Sequence, residues 1–425
     1  MARFLLSTMP GAGCVAPAQP VVTALIRRGH EVWWHTAKER EELVTATGAH
    51  FVPFDRAQSW DDLPPVPDPG QRGFAAVNTM MRRLFVDRAP GQLADYQDIL
   101  AEFPADVVVS DGACLGADLL HARGGPPWAV LHDTALIGVC PDDPPHGSGG
   151  RPPASALERL RYRAINWRTR HVRLRAVTTA YQQCRRECGV APMRRGRTVF
   201  DAMVSPYLYL QPTSPALEFP RRLPPQVHLI GPLLPEQSGE FTPPSWWSEL
   251  ERVDPIVHVT QGTSEVNPAD LVVPAIRALA GRPGLVVVTV KGSDPPPDLP
   301  GNVRFAEFLP HQELLPHVDV MVTNGGYNGV IAALARGVPL VAAGWRVDHP
   351  EVCARIARAG AGVWLRGPQP TPEEIGAAVT EVLSNPSYAE NARRVQREMA
   401  ASDGAGAAAD LLERLATTGA PVTRP

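Results

Sequence analysis

Short apolar runs rich in β-branched residues recur along this chain. Each is followed by a turn bearing glycine or proline, and then by a stretch with helical apolar spacing. The first unit shows the pattern. "RFLLST" (3–8) is strand-sized and "PGAGCVAP" (10–17) is a turn. "AQPVVTALIRRG" (18–29) has helical periodicity and ends at Gly29, and "HEVWWHT" (30–36) is the next strand. Strand, helix and strand in that order make a βαβ unit, which requires a parallel sheet covered by helices. The alternation continues through "HFVPF", "MMRRLFVDRAPGQLADYQDILAEF", "ADVVVSD", "GACLGADLLHARG" and "WAVLHD", the last ending at Asp133.

It resumes after "HLIGPLLPEQSGEFTPPS" (228–245), a run of prolines, glycines and turn formers. "PIVHVTQGT", "PADLVVPAIRALAG", "LVVVTVKG", "NVRFAEFLP" and "DVMVTNGG" carry it on, followed by "VPLVAAG", "EVCARIARAGAG" and "TPEEIGAAVTEVLS". The expected fold class is therefore α/β, with two Rossmann-like domains facing across a cleft. The expected division is 1–231, a linker at 232–254, 255–400, and a C-terminal helix and tail at 401–425 that packs back on the first domain. In open parallel sheets, ligands bind beyond the carboxyl ends of the strands, so the cleft is the expected site.

Residues 140–155, "CPDDPPHGSGGRPPAS", consist of turn formers and read as a flexible loop. The Arg-rich helical stretch from about 155 to 190 reads as a solvated face. A net charge of -3 gives no reason to expect nucleic acid or an anionic membrane as partner. The opening "MARFLLSTMPGAG" lacks the long apolar region of a signal peptide, and no stretch reaches membrane-spanning length, so a cytoplasmic location is expected. Six cysteines, at 14, 114, 140, 184, 188 and 353, form no CxxC pair. They read as reduced structural thiols, with no metal site and no cofactor expected.

One short stretch carries chemistry. "TNGGYNGV" (323–330) places two adjacent glycines where a strand ends and a helix begins. Such a turn can receive an anion, because helix N-terminal N–H groups are unpaired and glycine lets a phosphate approach. Plain turn chemistry also explains the same residues.

The order of "GAGCVAP", "LIGPL", "VTQGT", "FLPHQELLP", "VTNGGYNGVIAALARGVPLV" and "DHPEVCARI" resembles the inverting two-domain (GT-B) nucleotide-sugar glycosyltransferases. The branch it is most similar to decorates macrolides and aromatic polyketides and is UDP-glucuronosyltransferase-like. The resemblance covers nearly the whole chain. It implies that a nucleotide sugar (dTDP or UDP) binds the C-terminal half and a small aglycone the N-terminal half, in a monomer or homodimer. On the donor side it points to Gly262, Thr263, Ser264, Asn324, Gly325, Gly326, Tyr327 and Asn328 for the pyrophosphate. It points to Phe308 and Leu309 for the base, and to Asp348 and His349 for the sugar hydroxyls. Asp348 also reads as a helix N-cap, and Phe308 as core.

The chain departs from that pattern at four positions. Cys14 stands where relatives have the histidine that deprotonates the acceptor, with Gly13 beside it on the acceptor turn. Asn324 replaces the second histidine, Gly329 a phosphate-binding hydroxyl residue and Ala332 the ribose-binding acid. A neutral thiol is a poor base, and a thiolate needs a cation or helix N-terminus. Cys14 therefore reads first as a pocket-lining residue. Proton removal falls to Asp111, which ends "ADVVVSD", or to the His132–Asp133 pair, which ends "WAVLHD". The helix cap (Asp111) and the core histidine (His132) are the plain readings of the same residues. A carboxylate base favours an acidic acceptor such as a phenol. The lost side chains keep two alternatives open: a catalytically reduced homologue that activates another enzyme, and a nucleotide-sugar epimerase or phosphorylase.

Overall fold

The computed structural model describes residues 1–60, 72–136, 138–235, 241–262, 267–292 and 298–424. Seven strands form the first sheet: β1 Arg3–Ser7, β2 Glu31–Thr36, β3 His50–Pro53, β4 Val107–Ser110, β5 Trp128–Leu131, β6 Leu208–Gln211 and β7 Val227–Leu229. Six form the second: β8 Ile256–Thr260, β9 Leu285–Thr289, β10 Val303–Ala306, β11 Val320–Thr323, β12 Leu340–Ala342 and β13 Gly362–Trp364. Every ladder is parallel. This explains why strands such as "VVVS" and "IVHVT" are buried at every position rather than alternately.

The strand orders are β3-β2-β1-β4-β5-β6-β7 and β10-β9-β8-β11-β12-β13. In each sheet the winding direction reverses once, between β1 and β4 and between β8 and β11. At a reversal, neighbouring strands send their following helices to opposite faces, and a crevice opens beyond their carboxyl ends. The first crevice is lined by the turns after Ser7 and Ser110. The second is lined by the turns after Thr260 and Thr323.

Each sheet is covered on both faces. On one face of the first sheet, Phe4, Leu6, Val107 and Val109 pack against Val21, Val22 and Leu25 of helix Ala18–Arg27. They also pack against Ala408, Ala409, Leu412 and Leu415 of the last helix, Gly404–Thr418. That helix begins 175 positions after the end of the first sheet's last strand, yet it completes the first sheet's core. The Val422 N–H donates to the Tyr207 carbonyl and anchors the tail.

The loop at 140–150 is not free, contrary to the expectation from its composition. The Glu351 carboxylate, on helix His349–Ala359 of the second half, accepts from the N–H of Gly147 at 2.7 Å and of Gly149 at 3.3 Å. Turn formers lack apolar side chains to bury, but their backbone N–H groups can be held by one buried carboxylate.

Candidate active site

The two crevices meet edge to edge. The Asn328 side-chain amide donates to the Gly13 carbonyl at 2.9 Å, and the Thr134 hydroxyl donates to the Asp348 carboxylate. These contacts bring the turn after β1, the end of β5 and the glycine turn after β11 around one space.

On the acceptor side, Gly13 and Cys14 sit in the short helix Ala12–Val15. The Cys14 thiol donates to Asp133 Oδ2 at 2.8 Å. Burial, with the charges of Asp133 and Asp111 nearby, pushes the thiol well above its usual range. Cys14 is therefore held as a thiol, which removes the thiolate reading. Asp133 is half-buried. Burial, then the neighbouring charge of Asp111, pushes its carboxyl up to about 7; the Cys14 hydrogen bond opposes this.

Asp111 is differently placed. It is buried, and it accepts from the Met9 N–H at 2.6 Å and the Ala113 N–H at 2.8 Å. It ties the β1 turn to the β4 turn, so both oxygens are already engaged. His132 packs beside the Tyr209 ring, with centroids 5.2 Å apart. Burial lowers its imidazole to about 4, opposed by the Ala135 backbone, and both ring nitrogens are buried. It is neutral at physiological pH.

A second cluster on this side has the order of a hydrolase triad. Ser7 Oγ lies 3.0 Å from His35 Nδ1, and His35 Nε2 lies 3.2 Å from Asp95. All three are buried, and Ser7 Oγ also accepts from Tyr96 at 2.8 Å. Asp95 further accepts from the N–H groups of Arg56 and Ala57, both at 2.9 Å. No substrate reaches it, and its work is to anchor the turn after β3.

On the donor side, both reversal strands end in threonine. Each hydroxyl accepts the N–H two residues on: Thr260 from Gly262 at 3.3 Å, and Thr323 from Gly325 at 3.2 Å. Gly262 and Gly325 have φ of +73° and +86°, where a side chain is strained. Asn324 joins the two turns, donating to the Gln261 carbonyl at 2.7 Å and accepting from the Gly326 N–H at 3.3 Å. Gly326 caps helix Tyr327–Ala335, whose first N–H groups have no acceptor within the helix. Thr263 and Ser264 lie outside the described residues.

Three expected donor residues are placed otherwise. Tyr327 turns into the core: its hydroxyl donates to the Pro212 carbonyl at 2.8 Å and accepts from Gln211 at 3.1 Å. Only its backbone faces the turn. Leu309 is buried in the second half's core, while neighbouring Phe308 is 71% exposed and presents its ring to solvent. The alternation of adjacent residues between inside and outside separates the two. Asn328, read as a pyrophosphate ligand, instead uses its amide on Gly13. Asp348 opens helix His349–Ala359, but its side chain makes no cap bond and faces the acceptor side. His349 packs its Cβ close to the Gly325 and Gly344 backbones.

Residues 283–415 match the family described as "Erythromycin biosynthesis protein CIII-like, C-terminal domain". The chain is 39% identical to 4'-demethylrebeccamycin synthase of Lentzea aerocolonigenes, over 97% of this chain and 99% of that one. It belongs to the natural-product glycosyltransferases. As one of them it is a transferase that moves a sugar onto an aglycone. Among solved structures, this glycosyltransferase shares its fold with the calicheamicin glycosyltransferase CalG4. The TM-score is 0.76 at 24% identity, covering 99% and 100% of the two chains. It is similarly close to the spinosyn rhamnosyltransferase SpnG complexed with thymidine diphosphate, with a TM-score of 0.69 at 20% identity, covering 97% and 100%. Among the described residues of this glycosyltransferase, no three His, Cys, Asp or Glu side chains group as metal ligands, and no helix is long and apolar enough to cross a membrane.

Three groups were not legible as site residues in the sequence. Thr134 follows Asp133 and reads as a loop residue; only the fold brings it to Asp348, 214 positions away. Glu351 and Arg355 read as ordinary charges of an amphipathic helix, yet both are buried.

Proposed function

We propose that the enzyme is an inverting transferase that uses a dTDP- or UDP-sugar and takes the acceptor proton on Asp133. The observation that carries this is the Asp133 carboxyl. It is half-buried, pushed up to about 7, and bonded to the thiol at the family's histidine position. A base near the operating pH is the most effective kind. Both oxygens of Asp111 hold backbone N–H groups, both ring nitrogens of His132 are buried, and Cys14 is a thiol.

The reaction then runs as one displacement. Asp133 accepts the proton of the acceptor hydroxyl as its oxygen bonds to the anomeric carbon. The bond from that carbon to the diphosphate oxygen breaks on the opposite face, and the nucleoside diphosphate leaves. Its charge is met by the backbone N–H groups at Gly326 and the first turn of helix Tyr327–Ala335. Asp348 accepts from sugar hydroxyls, and Phe308 offers its exposed ring to the base. A carboxyl near 7 remains a modest base for an alcohol, so a phenol or similarly acidic hydroxyl is the acceptor class. Thymidine diphosphate on the structural relative SpnG supports the choice of donor.

The deciding test uses one phenolic acceptor at saturating donor. Asp133→Asn should lower kcat by ~10² or more, the range for a lost general base, while nucleoside diphosphate binding persists. Cys14→Ala should keep activity within about tenfold, since it removes a hydrogen bond and not the base. An Asp133→Asn enzyme with wild-type kcat would overturn the assignment.

A further inference from the structure

The charge of the chain is unevenly placed. Residues 151–200 hold thirteen arginines and two acidic residues, Glu158 and Glu187, for a charge of +11. The whole chain carries -3, so the other 375 residues carry -14. Two helices of this segment shape the result.

The first is helix Ala156–Arg168, which buries no residue. Its protein-facing side is set by Asn166, which donates to the carbonyls of Pro141 and Asp143 at 3.0 and 2.8 Å, with Tyr162 and Ile165 beside it. At 100° per residue, the opposite side is Leu157, Leu160, Ala164 and Trp167. Leu157, Leu160 and Trp167 are 76, 65 and 60% exposed. Arg161, Arg163 and Arg168 flank that crest on both sides. The apolar stripe of this helix thus points away from the protein.

The second is helix Arg175–Glu187. Its inner face, Val177, Tyr181 and Cys184, packs into the core, and the one inward arginine, Arg185, is paired with Asp118. Its outer face carries Arg175, Thr178, Thr179, Gln182 and Arg186. With Arg170, His171, Arg197 and Thr198 these residues line a groove of about 360 Å³. Arg197 pairs with Asp201, and Arg175 has no hydrogen-bond or ion-pair partner among the described residues. The groove and the crest join at Trp167, whose ring lies 5.3 Å from that of His171.

We propose that this face docks the enzyme on an anionic phospholipid surface, with headgroup phosphates in the arginine groove and the Leu157–Leu160–Trp167 crest at the acyl boundary. A helix with an apolar outer crest, arginines on both flanks and a tryptophan near its end has the build of an in-plane interfacial helix. Guanidinium groups pair bidentately with phosphate. One occupant explains both halves of the face. An acidic protein would satisfy the arginines, but it would have to enclose three protruding apolar side chains in matched pockets.

The test is sedimentation of the full chain with phosphatidylcholine vesicles, with and without phosphatidylglycerol. Binding is expected only with phosphatidylglycerol and should weaken as salt rises. Each arginine near such a surface contributes about fivefold, so Arg175→Ala with Arg186→Ala should weaken binding about 25-fold. Leu160→Ser with Trp167→Ser should weaken it at least about tenfold, through lost apolar burial. Unchanged thermal melting and nucleoside diphosphate binding would show that the variants are folded. Absence of binding to phosphatidylglycerol vesicles at low salt would overturn the proposal. So would binding indifferent to the arginine pair. Binding indifferent to the Leu160/Trp167 pair, with equal affinity for soluble polyglutamate, would make the face a dock for acidic protein and also overturn it.

Discussion

At the scale of single residues, the chemistry turns on how three acids, two at strand ends of the first sheet and one from the second half, divide their roles. Asp111 is saturated by backbone N–H groups, Asp348 faces Thr134, and Asp133 keeps an open edge and a carboxyl near 7. On the proposed mechanism, kcat/KM should rise with pH and level off above about 7, as Asp133 loses its proton. Asp111→Asn should move that midpoint down by removing the neighbouring charge, and Cys14→Ala should move it up by removing the thiol's hydrogen bond. A midpoint unmoved by either change would point to another group. The same shift has a sign for stability. The folded state holds a proton that the unfolded chain releases above its ordinary carboxyl range. That stabilisation is full below the unfolded value and is lost as pH rises through about 7. Asp133→Asn should therefore melt higher than wild type at alkaline pH, with the gain vanishing in acid; equal melting curves throughout would refute the shift. The sequence showed that acids end β4 and β5, since each follows an apolar run. It could not show which acid is free, because that depends on N–H groups from a turn a hundred residues away.

At the scale of elements, strand, turn and helix order was legible because periodicity and glycine placement are local signals, and parallel sheets follow from βαβ repeats. What the turns do with their side chains was not. Asn324 reads as a phosphate ligand but staples two turns together, and Tyr327 reads as a donor residue but anchors in the core. Neighbouring glycines of one turn should likewise behave differently. A Cβ at Gly325 would lie 2.8 Å from Cys353 Sγ, at a φ of +86°, so Gly325→Ala should lower Tm. A Cβ at Gly326 meets nothing closer than 3.6 Å. Gly326→Val should fold normally yet lose nucleoside diphosphate affinity, measured by calorimetry, because its branches fill the phosphate's approach. The loop at 140–150 gives a third contrast. Glu351→Ala removes the acceptor for the Gly147 and Gly149 N–H groups. It should raise KM for the aglycone more than KM for the donor and speed proteolysis within the loop. Equal effects on both KM values would separate the loop from acceptor binding.

At the scale of the whole molecule, the halves are joined by a buried ion pair. Arg355 bonds Glu218 at 2.7 Å and the Leu136 carbonyl at 2.8 Å, and both charged side chains are at least 97% buried. Arg355→Leu would leave a buried carboxylate without its partner and should cost about 3–5 kcal/mol in chemical denaturation. Arg355→Leu with Glu218→Leu should recover most of that loss; a double variant no more stable than the single one would show that the pair is not what the single change disturbs. The division into two α/β halves could be read from the chain, but the pairing of two charges 137 residues apart could not. The C-terminal helix has a further consequence. Because Gly404–Thr418 completes the core beneath β1 and β4, the donor half is an insertion in the acceptor half, and the chain crosses the boundary twice. An exchange of donor halves between two such enzymes therefore needs two junctions, one near 232–254 and one just before Gly404. A single junction would set a foreign helix against Val21, Val22 and Leu25. During synthesis the same arrangement keeps the first sheet's apolar face uncovered until residues 404–418 have left the ribosome, so the half that is made first completes its core only after the other half has been made.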